Sequence, residues 1–351
     1  MKNFKVSIIG VLMISLLFIF IKTSEAQNKK YQIATIAFYN LENLFDTIDT
    51  PGVRDTEFTP EGKAKWTGKR YYQKLDNMSE VISKIGSDVT KEAPAIIGVS
   101  EIENKQVLED LVKTENLKKY DYHIVHYDSP DRRGIDVALL YRPEYFKFLN
   151  SASRRLKIKG KPDFKTRDQL VVSGLLNGEQ IYLIVNHWPS RRGGEKRSRP
   201  LRNAAADLSR SIVDSIFNID ADAKIILMGD LNDDPVNESV RLHLKANGDI
   251  SKLSKGQLYN TLKKFYDKGI GSLAYRDSWN LFDQIIISQS LLSKNTSSLE
   301  FYKSGIFNKN FLKQQKGRYQ GYPFRTYAGG VYIGGYSDHF PTYIFLVKEL
   351  K

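Results

Sequence analysis

The sequence predicts an α/β protein built on mixed β-sheets. Three observations carry the prediction. Short β-branched apolar runs alternate with segments of helical apolar spacing; some strand candidates follow one another without a helix between them; and nearly every run ends in a cluster of polar residues.

The first residues have to be set aside before folding is considered. Lys2 and Lys5 give a positive start, Val6 to Ile21 is apolar, and Ser24-Glu25-Ala26 reads as a cleavage site. As a helix the apolar stretch reaches roughly 24 Å at about 1.5 Å per residue, short of a hydrocarbon core of ~30 Å. The segment 1–26 therefore predicts a cleaved signal peptide and a secreted or periplasmic protein, with an uncleaved N-terminal anchor as the alternative. With no cysteine in the chain, neither a lipid-modified cysteine nor disulfides enter the account.

The remaining residues, 27–351, show no linker-like composition shift, low-complexity tract or internal repeat, and read as one catalytic domain. Gln32 to Tyr39 alternates as a strand and runs into Asn40-Leu-Glu-Asn-Leu-Phe-Asp46. From Lys69 to Ile85, Leu75, Met78, Ile82 and Ile85 recur at helical spacing. Ala95 to Val99 reads as a buried strand ending at Ser100-Glu101, and Val107, Leu108, Leu111 and Val112 mark a second short helix. Strands are expected at Tyr122 to Tyr127, Ile135 to Tyr141, Leu170 to Leu176 and Ile181 to His187. A third helix carries Leu201, Ala205, Leu208, Ile212 and Ile216, and is followed by strands at Lys224 to Met228, Asp283 to Ser288 and Tyr343 to Val347. Asn295 to Tyr336, polar and rich in Gly and Tyr, reads as long loops.

The formal charge is +13; removal of residues 1–26 takes away three lysines and one glutamate and leaves +11. Such a balance favours polyanionic partners: nucleic acid, anionic lipid or phosphorylated small molecules. No signal for a stable protein partner is present.

The chemistry sits where the strands end. Strand one delivers Asn40 and Glu42; Ala95–Val99 delivers Glu101 and Glu103; Ile181–His187 ends in Asn186 and His187. Ile226-Leu-Met-Gly-Asp-Leu-Asn-Asp-Asp-Pro235 delivers Asp230, Asn232, Asp233 and Asp234, while Asp283 opens one strand and Asp338-His339 precedes the last. Singly these have ordinary readings. Asp233-Asp234-Pro235 reads as a cap, His123, His126 and His243 as structural, and Glu103 and Asp46 as surface or loop residues. Together, several carboxylates at one sheet edge carry a repulsion and desolvation penalty of several kcal/mol that a hard cation removes. All-oxygen donors suit Mg²⁺, Mn²⁺ or Ca²⁺; the absence of cysteine and the five histidines, none in a close His-x-x-x-His pair, disfavour zinc. A divalent ion with histidines and arginines points to phosphate-ester hydrolysis.

At these residues the chain resembles the endonuclease/exonuclease/phosphatase superfamily, the group containing deoxyribonuclease I and the apurinic endonucleases. It is most similar to the exported bacterial branch, on Asn40-Leu-Glu-Asn-Leu-Phe-Asp46, Asn186-His-Trp-Pro-Ser-Arg191 and Gly334-Gly-Tyr-Ser-Asp-His-Phe-Pro341. Gly229-Asp-Leu-Asn232 combined with Ser337-Asp-His339 is specific where either alone is weak, and the resemblance spans Tyr31 to Leu346. It implies a deoxyribonuclease I-like, four-layer α-β-β-α sandwich with two packed mixed β-sheets and the site at one edge. It implies Glu101 as the main metal ligand, helped by Asn40, Glu42 and Asp338. Asp230 would orient or deprotonate the attacking water and Asn232 would bind phosphate. His339, oriented by Asp283, would stabilise the developing charge, and His187 would be a second phosphate-binding or proton-donating histidine. Ser100, Tyr39, Leu231 and Gln284 depart from common family choices without removing a ligand.

For substrate contacts, Arg191 and Arg192 follow His187 in a loop loosened by Gly193-Gly194, and Arg133 is a weaker candidate; Arg197 and Arg199 read as solvated. Tyr319, Tyr322, Phe324, Tyr327, Tyr332 and Tyr336, interleaved with Arg318 and Arg325, either stack on bases or pack a long loop. The leading expectation is an exported metal-dependent nuclease for DNA or RNA. The alternatives are hydrolysis of phospholipid head groups or phosphorylated small molecules, and a non-catalytic binding protein on the same scaffold.

Overall fold

The computed structural model describes residues 30–294 and 297–350. The expected signal peptide lies outside them. In chain order the strands are β1 (Tyr31–Leu44), β2 (Ile96–Ile102), β3 (His123–His126), β4 (Asp136–Tyr141), β5 (Phe146–Arg154), β6 (Gln169–Leu176), β7 (Glu179–His187) and β8 (Lys224–Asp230). They continue with β9 (Ala246–Asn247), β10 (Leu258–Asn260), β11 (Leu273–Tyr275), β12 (Ser278–Asn280), β13 (Asp283–Ile287), β14 (Glu300–Ile306), β15 (Tyr327–Ala328), β16 (Val331–Tyr332) and β17 (Thr342–Glu349). The three longer helices are α1 (Gly68–Lys84), α2 (Lys105–Val112) and α3 (Glu195–Ile219).

Two mixed sheets result, with strand orders β14-β17-β1-β2-β4-β3 and β5-β6-β7-β8-β13-β10-β9. Each has a parallel pair at its centre, β1 with β2 and β7 with β8, and the short β9 pairs parallel with β10 at the edge of the second sheet. In both central pairs a helix spans the crossover that a parallel pair requires, α1 in one and α3 in the other. The expected mixed-sheet fold is the one observed.

Strand alternation sorts the apolar residues into layers. Ile36, Phe38, Leu183, Val185, Ile226 and Met228 pack between the sheets. Their neighbours in sequence, Ala37 and Tyr39, face Leu75, Met78 and Ile82 of α1, while Ile184, Ile225 and Leu227 face Ile212, Val213 and Ile216 of α3. Both faces of the central strands are therefore buried, which is why Ile225 to Met228 forms an unbroken apolar run. The sheets meet closely at Gly98, where an added Cβ would lie 2.6 Å from Met228 Sδ.

Two expectations change. The segment Asn295 to Tyr336 is not loop throughout, because β14 pairs antiparallel with β17 at the sheet edge and β15 with β16 forms a small hairpin. β5, also an edge strand, had no predicted counterpart. Edge strands lack apolar alternation because only part of their surface is covered: Lys147 to Asn150 are exposed.

Candidate active site

The carboxyl ends of the two parallel pairs meet at one edge of the molecule. Backbone register lines up two of them with the start of β13, since Asp230 pairs with His187 on one side and with Asp283 on the other. A 3.1 Å hydrogen bond from Asn40 Nδ2 to Asp230 Oδ2 ties the first sheet to the second. Gly229 is required by close approach, because a Cβ there would lie 2.2 Å from the Asn186 carbonyl oxygen.

Strand regularity breaks at these ends. The β1–β2 register shifts between Asn40 and Leu44, and the β2–β4 register between Ser100 and Ile102. The residues inside the shifts adopt left-handed backbone, Glu42 at φ 47°, Asn43 at 54° and Glu101 at 58°, as does Asn232 at 50°. For a non-glycine residue this costs about 1–2 kcal/mol, and such bulges re-aim side chains beside active sites. The strain is locally compensated: Glu42 N donates to Asn40 Oδ1, Asn43 N to Glu101 Oε2 and Asn232 N to Asp230 Oδ1, at 2.9, 3.0 and 2.9 Å.

Glu101 and Asp230 share one neighbour. His187 Nε2 lies 3.8 Å from Glu101 Oε1 and 3.5 Å from Asp230 Oδ2. Burial, then the charges of Arg167, Arg133 and His339, depress the His187 pKa well below the ordinary range, so the imidazole is neutral. No lysine or arginine pairs with Glu101 or Asp230 among the described residues. Burial, with Asp283 alongside and against the pull of His339, pushes Asp230 up to about 7. Two carboxylates beside a neutral histidine form a donor set that fits a hard divalent cation.

His339 is the opposite case. Its Nδ1 lies 2.6 Å from Asp283 Oδ2, which also accepts from Ser272 Oγ at 2.5 Å. Burial opposes its charge, but Asp283, Asp338 and Asp230 outweigh that and hold the imidazolium well above the usual pKa. Side-chain N and O atoms of Asp230, Asp283 and His339 lie within 4.8 Å of one another, but with His339 charged its ring nitrogens both carry protons and the group is an ion-pair cluster.

An open cleft of about 650 Å³ lies over this cluster, lined by Glu101, His187, Asp230, Asn232 and His339. Its wall carries Arg54, Arg132, Arg133, Lys165 and Arg192.

A profile of the endonuclease/exonuclease/phosphatase family matches residues 35–348. The chain belongs to that family. Solved structures agree in fold. A family member from Bacteroides thetaiotaomicron is 19% identical, covering 92% of this chain and 97% of its own, with TM-score 0.52. D. rerio TDP2 in complex with a single-stranded DNA product is 14% identical, with coverages of 90% and 99% and TM-score 0.52. A mannosyl-6-phosphatase from Bacteroides thetaiotaomicron is 18% identical, with coverages of 89% and 99% and TM-score 0.51. No curated protein matches the chain by sequence. The family's enzymes are phosphoric ester hydrolases dependent on a divalent metal, as the donor set suggests.

Two of the expected family ligands have other partners. Glu42 accepts from Arg325 Nε at 3.0 Å and from Thr326 N at 2.7 Å, with Lys74 Nζ at 3.7 Å. Asp338 accepts from Arg325 Nη2 at 2.9 Å. Their charge is thus neutralised within the protein, and Glu42 anchors the segment 325–326. Arg191 also departs from expectation: it donates to Asn232 O, Asp233, Asp234 and Asn237, and stacks on Phe282, bracing the loop after β8 instead of facing the cleft. Arg133 and Arg192 line the cleft. Asp233 and Asp234 are not the caps expected: Asp233 pairs with Arg202 of α3 and accepts from Ser239 Oγ, and Asp234 accepts from Leu281 N, just before β13.

Lys74, Arg167 and Arg202 were not anticipated. Lys74 is buried on the apolar face of α1, three residues after Tyr71 and four before Met78, and a lysine within an apolar helical stripe is a readable signal. Arg202 has the same signature in α3. Arg167 donates to the carbonyls of His187 and Trp188 and to Asp131, fixing the end of β7, and no local pattern marks it. Glu103 is buried, not superficial: it accepts from Asp46 N and Thr50 Oγ1, and burial pushes its pKa up to about 8. His126 pairs with Asp136 and His243 with Asp207, as structural histidines do.

Proposed function

We propose that this chain is an exported, magnesium-dependent phosphodiesterase that hydrolyses nucleic acid, its catalytic domain following a cleaved signal at residues 1–26. The observation that carries the reading is the pair Glu101 and Asp230, bridged by no lysine or arginine among the described residues, in a cleft whose lining includes six cationic side chains, Arg54, Arg132, Arg133, Lys165, Arg167 and Arg192. A wall of that extent suits a backbone with more than one phosphate. The DNA product held by D. rerio TDP2 supports the same substrate class.

Glu101, with Asn40 beside it, is the proposed ion site. A bound ion supplies positive charge to the phosphate and favours ionisation of water. Asp230, with a pKa near neutrality, is matched to take the proton of the attacking water. As the new P–O bond forms and the ester P–O bond breaks, charged His339 stabilises the developing negative charge. Asp283 holds its ring through Nδ1. Asn232, fixed by a 3.0 Å bond from Nδ2 to Trp188 O, and neutral His187 contact the phosphate oxygens. No stable protein partner is required by this arrangement.

The test is cleavage of supercoiled plasmid and of a structured RNA by residues 27–351 with Mg²⁺, Mn²⁺, Ca²⁺ or EDTA, with His339→Ala as control. Metal-dependent cutting lost in the variant supports the reading. A folded protein that cuts neither polymer but releases phosphate from phosphorylated sugars or lipid head groups overturns it.

A further inference from the structure

We propose that a second cavity, opening beside the reaction cleft, is a subsite for the nucleotide unit next to the scissile phosphate, its wall stacking on the base and its rim holding an anion. The inference rests on the nucleic-acid reading above. The cavity has a volume of about 290 Å³ and shares Arg54 and Arg133 with the reaction cleft. Its floor includes Glu42 and Asn43, and the Asn43 N–H donates to Glu101 Oε2, so the cavity begins one hydrogen bond from the reacting cluster.

The aromatic wall is rigidly backed. Phe58 stacks on buried Phe45, with centroids 4.4 Å apart and planes within 3°, and meets Trp66 edge-on at 6.3 Å. Trp66 is buried and its Nε1 donates to Phe45 O at 3.0 Å. Phe58 remains half-buried at the cavity, where a fixed ring stacks on a base of any identity.

The rim is cationic. Arg54 and Lys63 line the cavity, are exposed, and make no ion pair among the described residues. Opposing them are Glu57 and Glu42, and the latter is already neutralised by Arg325 and Lys74. The loop that carries Arg54 is held in place. Buried Glu103 accepts from Asp46 N and Thr50 Oγ1, Asp55 accepts from Thr50 N, and Arg54 N donates to Arg132 O at 2.9 Å in the wall of the reaction cleft. A planar ring joined to an anion is the ligand that uses both features.

The experiment measures calorimetric binding of adenosine 5′-monophosphate and of ribose 5-phosphate to residues 27–351 in EDTA, and KM for a short single-stranded oligonucleotide with Mg²⁺. Wild type, Phe58→Ala and Lys63→Gln are compared. Phe58→Ala is expected to weaken the nucleotide about tenfold, in line with the loss of one base stack, without weakening ribose 5-phosphate, and to raise KM for the oligonucleotide with little change in kcat. Lys63→Gln, at an exposed position that leaves the fold intact, is expected to weaken both ligands. Equal nucleotide affinity in wild type and both variants overturns the subsite, as does wild type binding ribose 5-phosphate as tightly as the nucleotide. A wild type that binds the nucleotide through Phe58 but cuts no polymer overturns the nuclease reading and leaves the subsite as a mononucleotide site.

Discussion

The loop that presents Asn232 is held by Arg191 and by a fully buried ion pair from Arg202 to Asp233, and replacing Asp233 by Asn tests how much the buried pair contributes. Asp233 is 1% exposed and Arg202 of α3 is fully buried, with Arg202 Nε 2.7 Å from Asp233 Oδ1. Asparagine keeps the shape and can still meet Ser239, which donates to Asp233 Oδ2 at 2.7 Å, but it removes the charge. The nearest other carboxylate to Arg202 is Glu195, at 3.8 Å. Breaking a buried pair by removing one partner costs roughly 3–5 kcal/mol. The remaining Glu195 contact places the expected loss near the lower end, about 3 kcal/mol. For a domain of this size that lowers Tm by about 4 °C. The assay is denaturant or thermal unfolding followed by circular dichroism on Asp233→Asn, Arg202→Met and the double variant. The double variant should cost clearly less than the sum, because removing both charges leaves no orphan. A single-variant cost below about 1 kcal/mol, or additivity within about 0.5 kcal/mol, would refute the reasoning.

Three further outcomes follow from other parts of the molecule. Burial raises the Glu179 pKa, but Lys348, Ser298 and Lys224 outweigh it and hold the carboxyl down at about 2. Its contribution to stability is therefore full above the unfolded value of about 4.3 and lost as pH falls through about 2. Glu179→Gln should flatten the pH dependence of Tm in that window, and an unchanged curve would show that the cluster contributes nothing. Gly98→Val should destabilise by more than about 2 kcal/mol, since even a Cβ meets Met228 Sδ at 2.6 Å and Val185 Cγ1 at 3.1 Å; chemical denaturation reads it, and a neutral result would mean that the sheets separate easily. Glu101→Gln should weaken Mg²⁺ binding measured by calorimetry at least tenfold and lower turnover at saturating metal. Unaltered metal affinity would move the ion site elsewhere.

Much of the site was legible because its signals are local. An apolar run such as Ile225 to Met228 must be buried, and the carboxylate and amide at its end then need polar partners, so the sequence marks Asp230 and Asn232 as a buried polar cluster at a strand end before any partner is known. The same holds for Glu101 after Ile96 to Val99, and for His187 after Ile181 to Val185. The family signatures then align these ends in one order, and the register of Asp230 with both His187 and Asp283 agrees with that alignment.

What sequence could not supply was the partner of each charge. Arg191 and Arg192 are adjacent and chemically identical, yet one braces the loop after β8 and the other lines the cleft. Glu42 reads as a metal ligand by motif, but Arg325, 283 residues away, reaches its carboxylate. Lys74 closes the same cluster from α1. The edge strands β5 and β14 were missed because their pairing, not their composition, defines them. The sequence by itself determined which residues end at the site, because burial and periodicity act over a few neighbours. The tertiary structure alone decided which carboxylates are paired with a lysine or arginine, as Glu42 is, and which, like Glu101 and Asp230, are not, because that balance depends on side chains brought together from across the whole chain.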